Sequence, residues 1–124
     1  MLVVDDDPLM QALIARLLKA DFDVQVVGAA AEALSLLDAG YVGDVLLTDF
    51  AMPRTDGVEL VACLRERGHV LGTRALMFTG DVSSAKKRLD ALGIEMHTLD
   101  KKADRRTLAL VLAAEASEPR SERS

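Results

Sequence analysis

Short apolar runs alternate along the chain with longer segments in which apolar residues recur every three or four positions. The runs predict β-strands and the longer segments predict amphipathic helices. The predicted strands are Val3–Val4, Val24–Val27, Val45–Thr48, Ala75–Phe78 and Met96–Leu99. The predicted helices extend from Met10 to Leu18, from Ala30 to Ala39 (closed by Gly40), from Val58 to Arg67, from Ser84 to Ala91, and through Leu108, Val111 and Leu112.

This alternation of strand and helix predicts an α/β fold. Strands that are each followed by a helix form a parallel sheet with helices on both faces and right-handed crossovers. We expect a flavodoxin-like (βα)5 doubly wound sandwich with strand order 2-1-3-4-5, in which ligands bind beyond the carboxyl ends of strands 1 and 3. The domain is expected to span residues 1–116. Residues 117–124, SEPRSERS, lose the apolar period and read as a polar tail or a truncated linker.

Composition narrows the class of protein. The chain has 124 residues and a net charge of -5, which disfavours direct binding to nucleic acid because phosphates are bound by clustered Lys and Arg. No apolar stretch approaches the roughly 20 residues needed to cross a bilayer, and no signal-peptide pattern opens the sequence. Cys63 is the single cysteine, so no internal disulfide can form. We therefore expect a cytoplasmic domain that binds neither membrane nor nucleic acid directly.

Polar residues follow four of the predicted strands at what would be one edge of the sheet. They are Asp5, Asp6 and Asp7 after strand 1, Asp49 after strand 3, Thr79 after strand 4 and Lys101 after strand 5. Strands 1 and 3 are neighbours in the expected order, so carboxylates that are distant in sequence should converge there.

The acidic triplet divides into a helix cap and two candidate ligands. Asp7 precedes Pro8, and Asp before a Pro at the first helical position is typical of an N-cap. Asp5 and Asp6 are then left to face the pocket with Asp49. Three carboxylates and the ammonium of Lys101 leave two net negative charges, which a divalent cation would cancel. A site of few oxygen ligands with room for water suits Mg²⁺ better than Ca²⁺.

Four motifs carry a resemblance to a known family. LVVDDDP, DVLLTDFAMPRTDGVEL, ALMFTG and LDKK occur in that order, and together they resemble the receiver domain of bacterial two-component response regulators. The resemblance covers residues 2–114, and DVLLTDFAMPRTDG is its most specific part.

The resemblance implies a role for each candidate residue. Asp49 would be the phosphoacceptor, Thr79 the switch hydroxyl and Lys101 the ammonium that contacts the phosphoryl group. Mg²⁺ would be held by Asp5, Asp6, the Asp49 carboxylate and the backbone carbonyl of Ala51.

The function that the resemblance implies is a phosphorylation-dependent signalling switch. Such a domain takes a phosphoryl group from a sensor histidine kinase or a phosphotransfer protein and relays a conformational change to a downstream effector protein or domain. It is not a conventional enzyme, because it catalyses only its own phosphotransfer and dephosphorylation. A homodimer through helix 4, strand 5 and helix 5 is one form that the relay could take.

The sequence departs from the family pattern near strand 5. Lys102 follows Lys101 where the family has Pro, and Thr98 occupies the place of a common aromatic, beside which His97 could substitute. These departures keep open a pseudo-receiver that acts only through protein contacts. A small Mg²⁺-dependent aspartyl-phosphate hydrolase is a third alternative, but Ala51 stands where such hydrolases usually place a second acid.

The remaining polar residues have simpler interpretations. Asp56 and Gly57 are expected to form a turn and cap the next helix. We interpret Lys86, Lys87 and Arg88 as a solvated helix face. His69 and His97 lack the spacing of metal ligands and are not assigned to a site.

Overall fold

The computed structural model describes residues 1–19, 23–72 and 74–101. Its strands are β1 (Leu2–Val4), β2 (Gln25–Val27), β3 (Leu46–Asp49), β4 (Ala75–Thr79) and β5 (His97–Asp100). Its helices are α1 (Pro8–Leu18), α2 (Ala30–Asp38), α3 (Gly57–Glu66) and α4 (Val82–Ala91), with a short 3₁₀ turn at Val70–Gly72. The predicted fifth helix and the 117–124 tail lie outside the described residues, so both stay predictions, as does the 1–116 domain boundary.

The five strands form one parallel sheet in the order β2-β1-β3-β4-β5, which confirms the predicted topology. Alternate strand residues point to opposite faces. Leu2, Val4 and Leu46 pack in a core with α2, α3 and α4, whereas Val3 and Leu47 pack in a second core with α1. Both faces of the sheet are therefore covered, so a binding site can form only at the edges where the strands end.

Aspartate side chains cap the N-termini of α1, α3 and α4. The Asp7 carboxylate accepts a hydrogen bond from the Leu9 backbone N–H at 3.0 Å, with Pro8 at the first helical position, as the sequence predicted. The Asp56 carboxylate caps α3 by accepting from the Glu59 N–H at 2.8 Å. Such caps satisfy backbone donors that the first turn of a helix leaves free.

Predicted element boundaries differ from the observed ones by one or two residues. β3 and β4 each extend one residue further, so that Asp49 and Thr79 are the last residues of their strands. Helix α4 begins at Val82 rather than Ser84, because Asp81 caps it. Gly40 closes α2 with a φ of 103°, a conformation that favours glycine. None of the helices in the described residues is long and apolar enough to cross a membrane.

Candidate functional site

The carboxyl ends of β1 and β3 bring acidic residues together. Val4 pairs with Thr48, so the residues that follow them, Asp5 and Asp49, stand side by side. Carboxylate oxygens of Asp5, Asp6 and Asp49 all lie within 4.8 Å of one another. Asp5 and Asp49 are buried, with 1% and 6% of their surface exposed, while Asp6 is open to solvent. The site is therefore an acidic pocket formed by two buried acids and one exposed acid.

Asp5 is fixed by contacts on its backbone and on one carboxylate oxygen. Its Oδ1 accepts a hydrogen bond from the Asp7 N–H at 2.9 Å, and its carbonyl accepts one from Gln11 Nε2 at 2.5 Å. Its Oδ2 is buried and accepts no hydrogen bond, although the Lys101 ammonium lies 3.3 Å away as an ion-pair partner. A buried carboxylate oxygen that lacks a hydrogen bond is available to a further ligand.

Lys101 completes the pocket from the end of β5. Its backbone N–H donates to the Thr79 carbonyl at 2.9 Å, which continues the pairing of β5 with β4. Its Nζ lies 3.1 Å from Asp49 Oδ2 and 3.3 Å from Asp5 Oδ2. The ends of three strands that are far apart in sequence, β1, β3 and β5, thus contribute charges to one site.

Burial and charge change the acidity of the groups in this pocket. Burial raises the pKa of Asp49 above its ordinary value; the Lys101 hydrogen bond opposes this effect and the Asp5 charge adds to it. Burial acts to lower the pKa of Lys101, but the hydrogen bond to Asp49 and the negative charges of Asp49 and Asp5 outweigh it and raise the pKa. Lys101 thus favours the ionised form of Asp49, whereas burial favours the neutral form.

Thr79 lies at the same edge, but its side chain has a backbone partner. It is buried, and its Oγ1 accepts a hydrogen bond from the Asp81 N–H at 2.9 Å. The Asp81 carboxylate in turn accepts from the N–H and hydroxyl of Ser84 at 3.1 and 2.7 Å. The switch hydroxyl proposed from sequence is thus directly connected to the N-terminus of α4.

Gly57 packs against the backbone of the phosphoacceptor candidate. A Cβ at this position would lie 2.2 Å from the Asp49 carbonyl oxygen and 2.8 Å from Met77 Sδ. The Gly57 N–H also donates to the Phe50 carbonyl at 2.8 Å. The sequence identified Asp56 and Gly57 as a turn and cap, but it did not reveal this close approach. Ala51 is exposed in the same loop, and the role of its carbonyl stays a prediction.

The basic residues of α4 are exposed, and one of them also contacts α3. Lys86, Lys87 and Arg88 are all exposed, as expected for a solvated helix face. In addition, Arg88 Nη2 lies 3.1 Å from Asp56 Oδ2 and 3.6 Å from Glu59 Oε1, a contact that the sequence did not reveal. A long side chain on one helix reaches the first turn of another, which the spacing of charges within α4 could not indicate.

The remaining candidates lie away from the acidic pocket. His69 Nε2 is 3.0 Å from Asp38 Oδ1, and Arg67 pairs with the same carboxylate. His69 therefore helps to connect the C-terminal ends of α2 and α3. In β5, Thr98 is half-buried and His97 is exposed. Lys102, where the family has Pro, lies outside the described residues.

The chemistry of the acidic pocket fits a divalent cation. Among the described residues, Asp5, Asp6 and Asp49 are the group of acids, histidines or cysteines spaced to hold a metal ion. All three offer oxygen, which hard cations prefer, and Asp5 Oδ2 lacks a hydrogen bond. The exposed position of Asp6 leaves an open side for water or a phosphoryl group.

Comparison with known proteins identifies the family of this fold and site. The family model of the response regulator receiver domain matches residues 1–113. The chain belongs to the response regulator receiver domain family. The chemotaxis protein CheY4 of Vibrio cholerae superposes with a TM-score of 0.80 at 27% identity, covering 91% of this chain and 94% of that one. The signal receiver domain of an HD domain-containing protein from Pseudomonas fluorescens gives 0.81 at 25% identity, covering 98% and 89%.

Curated relatives contain a receiver segment within longer proteins. A protein-glutamate methylesterase/protein-glutamine glutaminase from Nocardioides sp. is 38% identical over 74% of this chain and 25% of its own length. A second protein of that name from Pseudomonas aeruginosa is 31% identical over 87% of this chain and 36% of its own length. This receiver chain thus spans about a quarter to about a third of these relatives, and the resemblance concerns their receiver part.

Proposed function

We propose that this chain is a phosphorylation-dependent signalling switch that accepts a phosphoryl group on Asp49. The observation that carries the proposal is the geometry of Lys101, whose ammonium lies 3.1 Å from the Asp49 carboxylate and 3.3 Å from that of Asp5. A receiver that worked only through protein contacts would have no need of a half-buried lysine ammonium between two buried acids. The intact charge arrangement therefore favours the phosphoacceptor over the pseudo-receiver.

The donor would be a phosphohistidine on a sensor histidine kinase or a phosphotransfer protein. An Asp49 oxygen attacks phosphorus, an O–P bond forms, the P–N bond of the donor breaks, and the imidazole leaves with a proton from solvent. Lys101 neutralises charge on the phosphoryl oxygens, and phosphoryl transfer requires little beyond such alignment and neutralisation. When bound, Mg²⁺ would supply further neutralisation of those oxygens.

The residues that would hold Mg²⁺ are Asp5, Asp6 and Asp49, with the Ala51 carbonyl as a further ligand. The Gln11 and Asp7 hydrogen bonds hold Asp5 in place for this purpose. Asp49 would have a double role, because its carboxylate would be both a ligand of the ion and the nucleophile.

Phosphorylation would be transmitted through Thr79. The new phosphoryl group adds close to one further negative charge at pH 7 and new acceptor oxygens. The Thr79 hydroxyl can donate to them, and any rotation that it makes disturbs the Asp81 N–H bond at the start of α4. Helix α4 would then present a changed surface to a downstream effector protein or domain, or to a second copy through α4, β5 and the predicted fifth helix. We place the domain in the cytoplasm, where such donors act.

The test is phosphorylation in solution. Incubation with acetyl phosphate and Mg²⁺, followed by intact mass measurement, is expected to show a gain of one phosphoryl group that is absent from Asp49→Asn. Asp90→Asn, which alters an exposed acid of α4, is the matched control and should be labelled like the wild type. No labelling of the folded wild type would favour the pseudo-receiver. Continuous release of phosphate in large excess over protein would favour the hydrolase.

A further inference from the structure

An ion pair joins α4 to the start of α3. Arg88, in the last turn of α4, places Nη2 3.1 Å from Asp56 Oδ2 and 3.6 Å from Glu59 Oε1. We refer to the Arg88 and Asp56 contact as the α3–α4 ion pair. Asp56 uses its other oxygen to cap α3, so both of its carboxylate oxygens are engaged.

The α3–α4 ion pair is anchored on the segment that carries the phosphoacceptor. Asp56 is followed by Gly57, which packs directly on the Asp49 carbonyl and donates its N–H to the Phe50 carbonyl. This end of α3 lies close against the Asp49 backbone, and its hydrogen bond to Phe50 opposes movement away from it. Arg88 therefore binds α4 to a fixed point.

The opposite end of α4 is attached to the switch hydroxyl. Asp81 caps the helix through Ser84 and donates its own N–H to Thr79 Oγ1. The two ends of α4 differ, because a phosphoryl group on Asp49 competes for Thr79 but makes no demand on Arg88. A helix released at its N-terminus would still be restrained by the α3–α4 ion pair.

We propose that the α3–α4 ion pair holds α4 in its resting arrangement and so opposes the response of this domain to phosphorylation. The proposal rests on the proposed function and adds a regulatory residue, Arg88, to it. The pair is partly exposed, at 44% for the Arg88 side chain and 21% for that of Asp56, so its contribution is modest. A modest bias still changes the population of a two-state element, and we expect a shift of about two- to fivefold.

The experiment measures how tightly the protein binds a phosphoryl substitute. Beryllofluoride with Mg²⁺ mimics a phosphorylated carboxylate, and fluorine NMR can report the bound fraction. Because a ligand that favours the rearranged state binds more tightly when that state is more populated, Arg88→Ala should raise the affinity about two- to fivefold. Asp56→Asn, which keeps a capping oxygen but removes the charge, should do the same.

Arg67→Ala is the matched control. Arg67 is an arginine of similar exposure that also pairs with an aspartate, Asp38, but the pair joins α2 and α3 at the other end of the domain. Its loss should leave the affinity for beryllofluoride unchanged. The change in the free energy of unfolding of Arg67→Ala measures how much the loss of a comparable surface ion pair destabilises the fold.

A double-mutant cycle separates the proposed coupling from general loosening. If Arg88 and Asp56 act through their mutual contact, the double variant should bind beryllofluoride no more tightly than either single variant. Unchanged affinity in Arg88→Ala, in a protein whose wild type binds beryllofluoride, would overturn the role of the ion pair and leave the proposed function intact. Failure of the folded wild type to bind beryllofluoride would instead overturn the proposed function, and this role with it.

Discussion

The Lys101 ammonium lies 3.1 Å from Oδ2 of Asp49, although Asp49 ends β3 and Lys101 follows β5, and these two strands are not adjacent. Asp49 is buried and has Asp5 beside it, so without the lysine two neighbouring carboxylates would share a desolvated pocket. Like charges in such a setting raise one another's pKa. The lysine opposes this rise in the pKa of Asp49 and so favours its ionised form, which is the form that the proposed phosphoryl transfer needs.

Lys101→Met should slow phosphorylation by acetyl phosphate in the presence of Mg²⁺. Loss of a preorganised charge at the reacting oxygens costs about 100-fold in rate at other sites of this kind. The same change should leave Mg²⁺ affinity equal or higher, because a competing cation leaves the pocket. Intact mass spectra taken over time give the rate. Lys87→Met, on the exposed face of α4, is the control. Equal phosphorylation rates in the two variants would show that Lys101 does not contribute to the reaction.

Mg²⁺ should stabilise the fold through the acidic pocket. A ligand that binds only the native state raises the free energy of unfolding by about 1.4 kcal/mol for each tenfold increase above its dissociation constant. Urea unfolding at several Mg²⁺ concentrations measures this dependence. In Asp6→Asn, the rise in the free energy of unfolding should begin at a higher Mg²⁺ concentration. The variant should still fold, because Asp6 is exposed. Asp23→Asn, which alters an exposed acid outside the pocket, should behave like the wild type; identical curves for Asp6→Asn would show that Asp6 is not a ligand.

Gly57→Ala should destabilise the protein. The new Cβ would lie 2.2 Å from the Asp49 carbonyl oxygen, a contact that the backbone can relieve only by moving. We expect a loss of about 2 kcal/mol or more in the free energy of unfolding, typical of steric overpacking. Gly80→Ala is the control, since a Cβ there would meet nothing within 4 Å. Equal midpoints in urea for the two variants would contradict the close approach of Gly57.

The α4 cap gives a pH-dependent prediction. Hydrogen bonds from the Ser84 hydroxyl and N–H lower the pKa of Asp81 below its ordinary value. A carboxyl whose pKa is lower in the folded state contributes stability above its unfolded pKa, and this contribution disappears as the pH falls through the folded pKa. The stability lost in Asp81→Ala should therefore be constant near neutral pH and shrink below about pH 4.

Thermal unfolding of wild type and Asp81→Ala across that range provides the measurement. Asp90→Ala, which removes an exposed acid from the other end of α4, controls for the change in net charge. A difference between wild type and Asp81→Ala that persists unchanged in acid would mean that the Asp81 carboxylate does not act as a cap.

The sequence predicted the sheet and the convergence of its acids, because both depend on simple repeating signals. Strand and helix periods indicated a parallel sheet, and the strand order then placed the ends of β1 and β3 together. The Asp7 cap was predictable because Pro8 restricts the residue before it. Each of these inferences rests either on residues that are close in sequence or on the strand order, for which the alternation of strands and helices leaves few alternatives.

Contacts of long side chains between elements were not predictable in this way. Arg88 and Asp56 are 32 positions apart, and their meeting depends on how α3 and α4 pack. The Gln11 contact with the Asp5 carbonyl depends on the entry angle of α1. The need for glycine at position 57 arises from a carbonyl on a different element, β3, so no local turn rule reveals it.

The order in which the pocket's members are synthesised has a consequence for how this protein matures. Asp5 and Asp49 leave the ribosome well before Lys101, and their strands can pair before β5 exists. During that interval the two acids face each other without their counter-charge. The Mg²⁺ ion that we propose for this pocket would offset their repulsion at a stage when Lys101 is not yet available to do so.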